Sequence, residues 1–397
     1  MSLGAALAAL TIGVLGAPAS AASVRPVALQ DIPKVASFIP PTTDHVYYHG
    51  GPVLHRNRTH VIFWQPGGSS LTFGPGYVSL VAGFLRNVAA ASHSTSNVFG
   101  LTGQYTDYSG QPAAYASRFG GWVLDDHPLP ANGCVEPATG PLWTHCVTDG
   151  QLQAELEHVV RQHHLPHGAN DVYFLLTPRG LASCMSTTSC SDAGPPNGYC
   201  AYHGVTNDAT LLYAVVPYNA VPGHCQSWEP RPNHSAADPA LSVISHELAE
   251  MITDPYQTAW YANSGSEIGD ICLASYGRSI GGSGQSRYNE NINGGHYYLQ
   301  EEWSNADSAC RRRALPDQAR FSVIRRSSLR LWLIGAGNDP EGHIVGYRWS
   351  LGDGSRALGR RISHRFPRAG SYRIRLRVTD NWDNWTFYAR TVAAAAP

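Results

Sequence analysis

DPALSVISHELAEMITDPYQTAWYANSGSEIGDIC, residues 238–272, is the stretch whose reading organises the rest of the chain. Leu241, Ile244, Leu248 and Ile252 recur at helical spacing and make one apolar stripe. Asp238 is placed to cap the amino end, Pro239 suits a first turn that needs no backbone donor, and Pro255 stops the helix. At about 100° per residue, His246, Glu247, Glu250 and Asp254 fall in the opposite sector. His246 and Glu250 stand one turn apart, so both can close on a single ion.

The plain alternative is the wet face of an amphipathic helix. Such a face usually mixes signs, with partners at i, i+4. From Pro232 to Gly277, however, the chain has six acids and no Lys or Arg. Crowded carboxylates without basic partners repel one another unless protonated, hydrated or neutralised by a cation. Glu267-Ile-Gly-Asp270 adds a further acidic pair. The pattern points to a metal site.

The arrangement resembles the gluzincin, thermolysin-like branch of zinc peptidases, where a HExxH helix supplies two ligands and a base and a later acid supplies the third ligand. On that resemblance His246 matches the first ligand and Glu247 the base, and Glu250 stands where the family has its second His. The Thr253-Asp254 pair matches a TD that often follows the family's motif. Either Asp270 is the third ligand, or Glu267 is the ligand and Asp270 a partner that orients His246. The resemblance implies a divalent metal, zinc first. Glu250 departs from the family, and one imidazole with two carboxylates is a harder set that drifts towards Mn²⁺, Fe²⁺ or Ca²⁺.

At 397 residues the chain predicts two folded units rather than one. Residues 1–310 hold 11 basic and 23 acidic residues, whereas 311–397 hold 17 basic and 6 acidic, a break that coincides with a domain boundary. Residues 1–22, an apolar run ending in small residues, read as a secretory signal, although the usual positive start is missing. Residues 23–44, with four prolines, read as an extended linker. No later stretch is long and apolar enough to span a bilayer, and an exported, soluble monomer is expected. The eight cysteines, all between Cys134 and Cys310, favour a disulfide framework over a zinc cluster, since no CxxC occurs. Short loops suggest Cys134–Cys146, Cys184–Cys190, Cys200–Cys225 and Cys272–Cys310.

Thr59–Trp64, Val172–Thr177 and Leu211–Val216 read as buried strands. Tyr77–Ala91 and Gln151–His164 read as helices, and 102–148 and 178–208 as Gly-, Ser- and Pro-rich loops. Residues 45–313 are therefore expected to form a mixed α/β domain, zincin-like or three-layer, with a mixed sheet flanked by helices. Tyr48-His-Gly-Gly-Pro-Val-Leu54, Val61-Ile-Phe-Trp64, Cys200-Ala-Tyr-His203, HELAE, Ala259-Trp-Tyr-Ala262, Glu267-Ile-Gly-Asp-Ile-Cys272 and Asn293-Gly-Gly295 occur in that order. This ordered set resembles the phosphate-induced, or EXORDIUM-like, family, which includes secreted plant cell-wall proteins. The resemblance implies an extracellular location and a link to walls, without a settled chemistry. His203 and His296 could each line the site. There is no GxSxG elbow for a serine hydrolase and no phosphate-cradling GxxxxGK[ST].

From Gln318 the character changes. Tyr347–Leu351 and Tyr372–Val378 alternate with period two, and Gly352-Asp-Gly354 marks a turn. Together with Asn338–Gly342, His364–Tyr372 and Val378-Thr-Asp380, these residues resemble a PKD domain, an extracellular all-β, Ig-like sandwich, placed at 318–395. Arg373, Arg375 and Arg377 would share the face opposite Ile374, Leu376 and Val378, either solvated or docking to an anionic wall polymer or to the acidic first domain. No feature beyond clustered arginine suggests nucleic acid.

Two functions follow. The first is a secreted metal-dependent hydrolase, peptidase-like, with His246, Glu250 and Asp270 or Glu267 as ligands and Glu247 as base, acting on an extracellular protein or cell-wall polymer. The alternative is a non-catalytic cell-wall or polysaccharide binding protein with a structural ion such as Ca²⁺, or none. A catalytic site requires an open coordination position facing a cleft.

Overall fold

The computed structural model describes residues 27–30, 45–134, 142–187, 189–191, 198–222, 225, 229–313, 318–325, 329–338, 343–380 and 385–394. The signal segment, most of the 23–44 linker and part of the Asn338–Gly342 run lie outside them. No helix among the described residues is long and apolar enough to cross a membrane.

The first domain is built on a six-stranded mixed sheet. Its order is Val27–Gln30, Tyr199–Val205, Leu212–Val216, Asp171–Leu176, Asn57–Trp64 and Ser117–Asp125. The last four strands run parallel; Tyr199–Val205 is antiparallel to both its neighbours. Strands such as Asp171–Leu176 and Leu212–Val216 are buried along their whole length, as continuous apolar runs require when both sheet faces are covered. Helices α1 (Tyr77–Ala90) and α3 (Asp238–Thr253) pack on one face with Val61, Phe63, Phe174 and Val216. Helix α2 (Asp149–Gln162) covers the other with Ile62, Trp64, Leu175 and Val215. The architecture is three-layer.

Several expectations need correction. The segments 102–148 and 178–208 are not all loop: Ser117–Asp125, His145–Thr148, Leu181–Cys184 and Tyr199–Val205 are strands. Glycine and serine density masked them, because neighbouring strands rather than local propensity hold them. Within the expected linker, Val27–Gln30 is extended but docked as an edge strand on Tyr199–Val205. Asp238 does not cap α3. It lies inside the first turn, and its carboxylate accepts from Ser235 N and Asn233 Nδ2 at 2.9 and 2.7 Å, fastening the preceding turn.

Helix α3 is also not amphipathic in its setting. Every residue from Ala240 to Thr253 is buried, the polar sector included. The sheet lies under one side, and the chain from Thr258 to Arg313 wraps the other, tied by the Cys272–Cys310 disulfide. The other bridges join Cys134 to Cys146, Cys184 to Cys190 and Cys200 to Cys225. All four pairings are those the short loops suggested.

The second domain is an all-β sandwich. Gln318–Arg325, Arg330–Asn338 and Arg361–Arg365 form one sheet. Arg356–Leu358, Ile344–Ser350, Gly370–Asp380 and Trp385–Ala394 form the other. Phe321, Leu333, Trp349, Ile374 and Leu376 fill the space between. Along Gly370–Asp380 the alternation holds, with Tyr372, Ile374 and Leu376 inward and Arg373 and Arg375 exposed.

Candidate metal centre

Helical spacing places His246 and Glu250 on one flank of α3, and His246 Nε2 lies 3.1 Å from Glu250 Oε1. A 3₁₀ turn at Asp270–Cys272 sets Asp270 Oδ1 3.7 Å from the same nitrogen. From the sheet beneath, Tyr199–Val205 sends up His203, whose Nε2 lies 3.0 Å from Glu267 Oε2 and 3.7 Å from Glu250 Oε2. Glu250 thus stands between two imidazoles, one oxygen towards each. The donor atoms of His246, Glu250 and Asp270 lie within 4.8 Å of one another, as do those of His203, Glu250 and Glu267. Asp270 and Glu267, the alternatives left open by the sequence, both lie in the cluster, Asp270 beside His246 and Glu267 beside His203.

The backbone locks this geometry. Gly269 N and Asp270 N donate to Glu250 Oε1 at 3.2 and 3.1 Å, and Glu267 N donates to Asp270 Oδ2 at 3.0 Å. Gln300 Nε2 donates to Gly269 O at 2.8 Å and lies 3.0 Å from His246 Nδ1, against the ring. Gly269 leaves the ring its room: a Cβ there would fall 2.5 Å from His246 Nδ1.

The cluster is electrostatically unbalanced. His203, His246, Glu247, Glu250, Glu267 and Glu302 are each at most 2% exposed. Both oxygens of Glu247, both of Glu302 and Glu267 Oε1 are buried without a hydrogen-bond partner. Burial pushes Glu247, Glu267 and Glu302 well above the usual carboxylate range; nearby carboxylates push the same way, while His246 pulls Glu247 and Glu302 back. Burial lowers the His203 pKa to about 4, against the pull of Glu250. Burial also disfavours the His246 cation, but Glu250, Asp270 and Glu247 outweigh it and hold the imidazole well above its ordinary value.

These residues fit a divalent cation. Donors about 2.0–2.2 Å from a tetrahedral ion stand about 3.3–3.6 Å apart. The observed separations of 3.0–3.7 Å bracket that spacing. Two imidazoles with carboxylates suit Zn²⁺ or Mn²⁺ better than Ca²⁺. Buried carboxyl groups without hydrogen-bond partners are either held neutral by protonation or paired with a cation.

All five residues singled out from the sequence converge, although Glu247 belongs to neither trio of donors. Asp254, from the same polar sector, turns away and accepts from Thr258 N and Ala259 N at 2.6 and 2.7 Å. His203 joins the centre; His296 does not, being exposed and stacked on Tyr288 with ring centroids 3.8 Å apart. Sequence reading missed Glu302, on the Glu302–Ser304 strand, and Gln300. The only signal was an acid pair, Glu301-Glu302, between the apolar residues Tyr297-Tyr298-Leu299 and Trp303.

Comparison with known proteins supports both halves of the chain. The PKD domain family model matches residues 332–390. Protein EXORDIUM-like 3 of Arabidopsis thaliana is 28% identical over 294 residues, covering 66% of this chain and 81% of that protein. Protein EXORDIUM-like 5 of the same plant is 27% identical over 301 residues, covering 67% and 77%. Among solved structures, the PKD1 domain of Vibrio anguillarum Epp is 27% identical and covers 21% of this chain and 98% of its own, with a TM-score of 0.20. OgpA from Akkermansia muciniphila aligns over 90% of this chain and 98% of its own, at 9% identity and a TM-score of 0.22. Likenesses at those TM-scores carry no weight for fold or chemistry. The chain is similar to EXORDIUM-like proteins over two thirds of its length and carries a PKD domain near its carboxyl end.

Proposed function

We propose that this is an exported binding protein whose first domain is organised around a buried divalent cation and whose PKD domain docks to an anionic extracellular polymer. The observation that carries the cation is the set of buried, unpartnered carboxylate oxygens around His203 and His246. A cavity of about 30 Å³, lined by Glu229, Asp238, Ser242, Tyr276 and Gln300, borders the cluster at His246. The burial of His203, His246, Glu247, Glu250 and Glu267 favours a structural ion, since structural sites are closed and catalytic ones keep an open position. A bound cation would supply the missing positive charge and tie the 267–270 turn to α3. Four disulfides and the PKD domain suit an extracellular setting. On the sandwich, Arg375 lies 3.8 Å over the Phe387 ring and Arg377 4.4 Å over Trp385, a rigid cationic face suited to a polyanion. The test is metal content of the purified full chain with melting before and after chelation. Bound Zn²⁺ or Mn²⁺ and a lower Tm on chelation are expected; a metal-free chain indifferent to chelator and to added ions would overturn the cation. Pull-down on an anionic wall polysaccharide should be lost in Arg375→Ala/Arg377→Ala, and undiminished capture would overturn the docking face.

Glu247 favours a second reading, a peptidase-like hydrolase. Its two unpartnered oxygens beside His246 are those of a base that could take a proton from an attacking water, while the cation would supply Lewis acidity. Glu247→Gln separates the readings in a peptide and glycan substrate screen. The structural reading expects no turnover in either protein; turnover by the wild type that Glu247→Gln abolishes would establish the hydrolase.

A further inference from the structure

We infer that Glu250 bridges two cation positions rather than serving one. The inference rests on the cation reading above and adds its stoichiometry and second ligand set. The two imidazole nitrogens face different oxygens of the same carboxylate: His246 Nε2 is 3.1 Å from Oε1 and His203 Nε2 is 3.7 Å from Oε2. Each side is completed by its own carboxylate, Asp270 for His246 and Glu267 for His203. Each trio has the donor spacing of a single ion. One ion placed in either trio would leave the other imidazole and carboxylate as an unfilled copy of the same arrangement.

Burial favours filling both. His203 and Glu267 are 0% and 1% exposed, and Glu267 keeps one oxygen with no partner. With Glu247 and Glu302 the cluster gathers five carboxyl groups around two imidazoles. Carboxylate-bridged pairs of ions about 3.5–4 Å apart are a recurrent protein device. Nitrogen and oxygen donors in equal reach suit Mn²⁺ or Zn²⁺.

The experiment is titration of the chelated full chain with Mn²⁺ alone, read by equilibrium metal content and by electron paramagnetic resonance. The wild type is expected to take up two ions and give an exchange-coupled spectrum. Glu267→Gln and Asp270→Asn, both close in shape to the native residues, should each take up one ion and give an uncoupled six-line spectrum. A wild type that holds one uncoupled ion would overturn the bridge while leaving the cation reading intact. A wild type that holds none would overturn both. The wild-type stoichiometry decides the matter even where a variant fails to fold.

Discussion

Gly269→Ala is the most direct probe of how the centre is held. Gly269 has a helical backbone, φ −77° and ψ −43°, which alanine adopts without strain. On backbone grounds alone the change should stabilise the fold by about 0.4–1 kcal/mol, through a less flexible unfolded chain. The structure reverses that sign. The new methyl would lie 2.5 Å from His246 Nδ1, 2.6 Å from Cε1 and 2.8 Å from Cγ, so the ring must retreat by roughly 1 Å. Overpacking of this kind costs about 1–3 kcal/mol, leaving a net loss centred on about 1.3 kcal/mol once the backbone gain is subtracted. The retreat also takes Nε2 off its positions 3.1 Å from Glu250 and 3.7 Å from Asp270. Disturbing the groups that position a metal ligand typically costs about 10–100-fold in affinity, and that is the loss expected here. Urea denaturation of the chelated chain and calorimetric titration with Zn²⁺ measure the two effects separately. Gly83→Ala, in α1 with nothing within 4 Å of its added carbon, is the control and should gain about 1 kcal/mol with cation affinity unchanged. Wild-type stability and wild-type Zn²⁺ affinity in Gly269→Ala would refute the reasoning.

Glu302→Gln removes a buried carboxylate with no partner at either oxygen, and should stabilise the chelated chain by about 1–3 kcal/mol at pH 8. Because the native Glu302 carboxyl holds its proton more tightly than the unfolded one, the gain should shrink at pH 5; an equal gain at both pH values in denaturant melts would argue against the assignment. Burial raises Asp254 to about 6 and Glu290 to about 7, so these two groups bind more protons in the folded than in the unfolded chain between about pH 4 and 7, outweighing His203, which burial lowers to about 4. Chelated protein should therefore lose stability as pH climbs through that window, by about 3 kcal/mol for each group, and a melting series that rises steadily to pH 8 would contradict this. Cation uptake requires deprotonated ligands, so the Tm gap between loaded and chelated protein should widen over the same range. Cys272→Ser/Cys310→Ser opens a bridge across a sequence separation of 38 residues and should cost about 4 kcal/mol. It should also weaken Zn²⁺ binding, since Cys272 closes the turn that begins at Asp270; unchanged affinity by calorimetry would show that hydrogen bonds alone hold that turn.

The parts legible in the sequence were those governed by short-range geometry. Helical spacing put His246 and Glu250 side by side, because residues four apart share a face whatever surrounds the helix. Loop length picked out all four disulfides. Continuous apolar runs marked the Asn57–Trp64, Asp171–Leu176 and Leu212–Val216 strands, and period-two alternation marked the sandwich. Tyr199–Val205 was harder, since tyrosine, cysteine, glycine and histidine make a strand only when neighbours pair with it.

By itself, then, the sequence determined the two-domain division, the helix bearing HELAE and the excess of acid around it. Tertiary structure alone decided that this excess is buried, that His203 rises from the sheet to meet Glu267, and that Glu302 joins them from a strand some fifty residues beyond the helix. The reason is that desolvation is set by what covers a group. The cover over α3 comes from the wrapping chain that the Cys272–Cys310 bridge ties down, and no local spacing rule encodes where such a chain will lie.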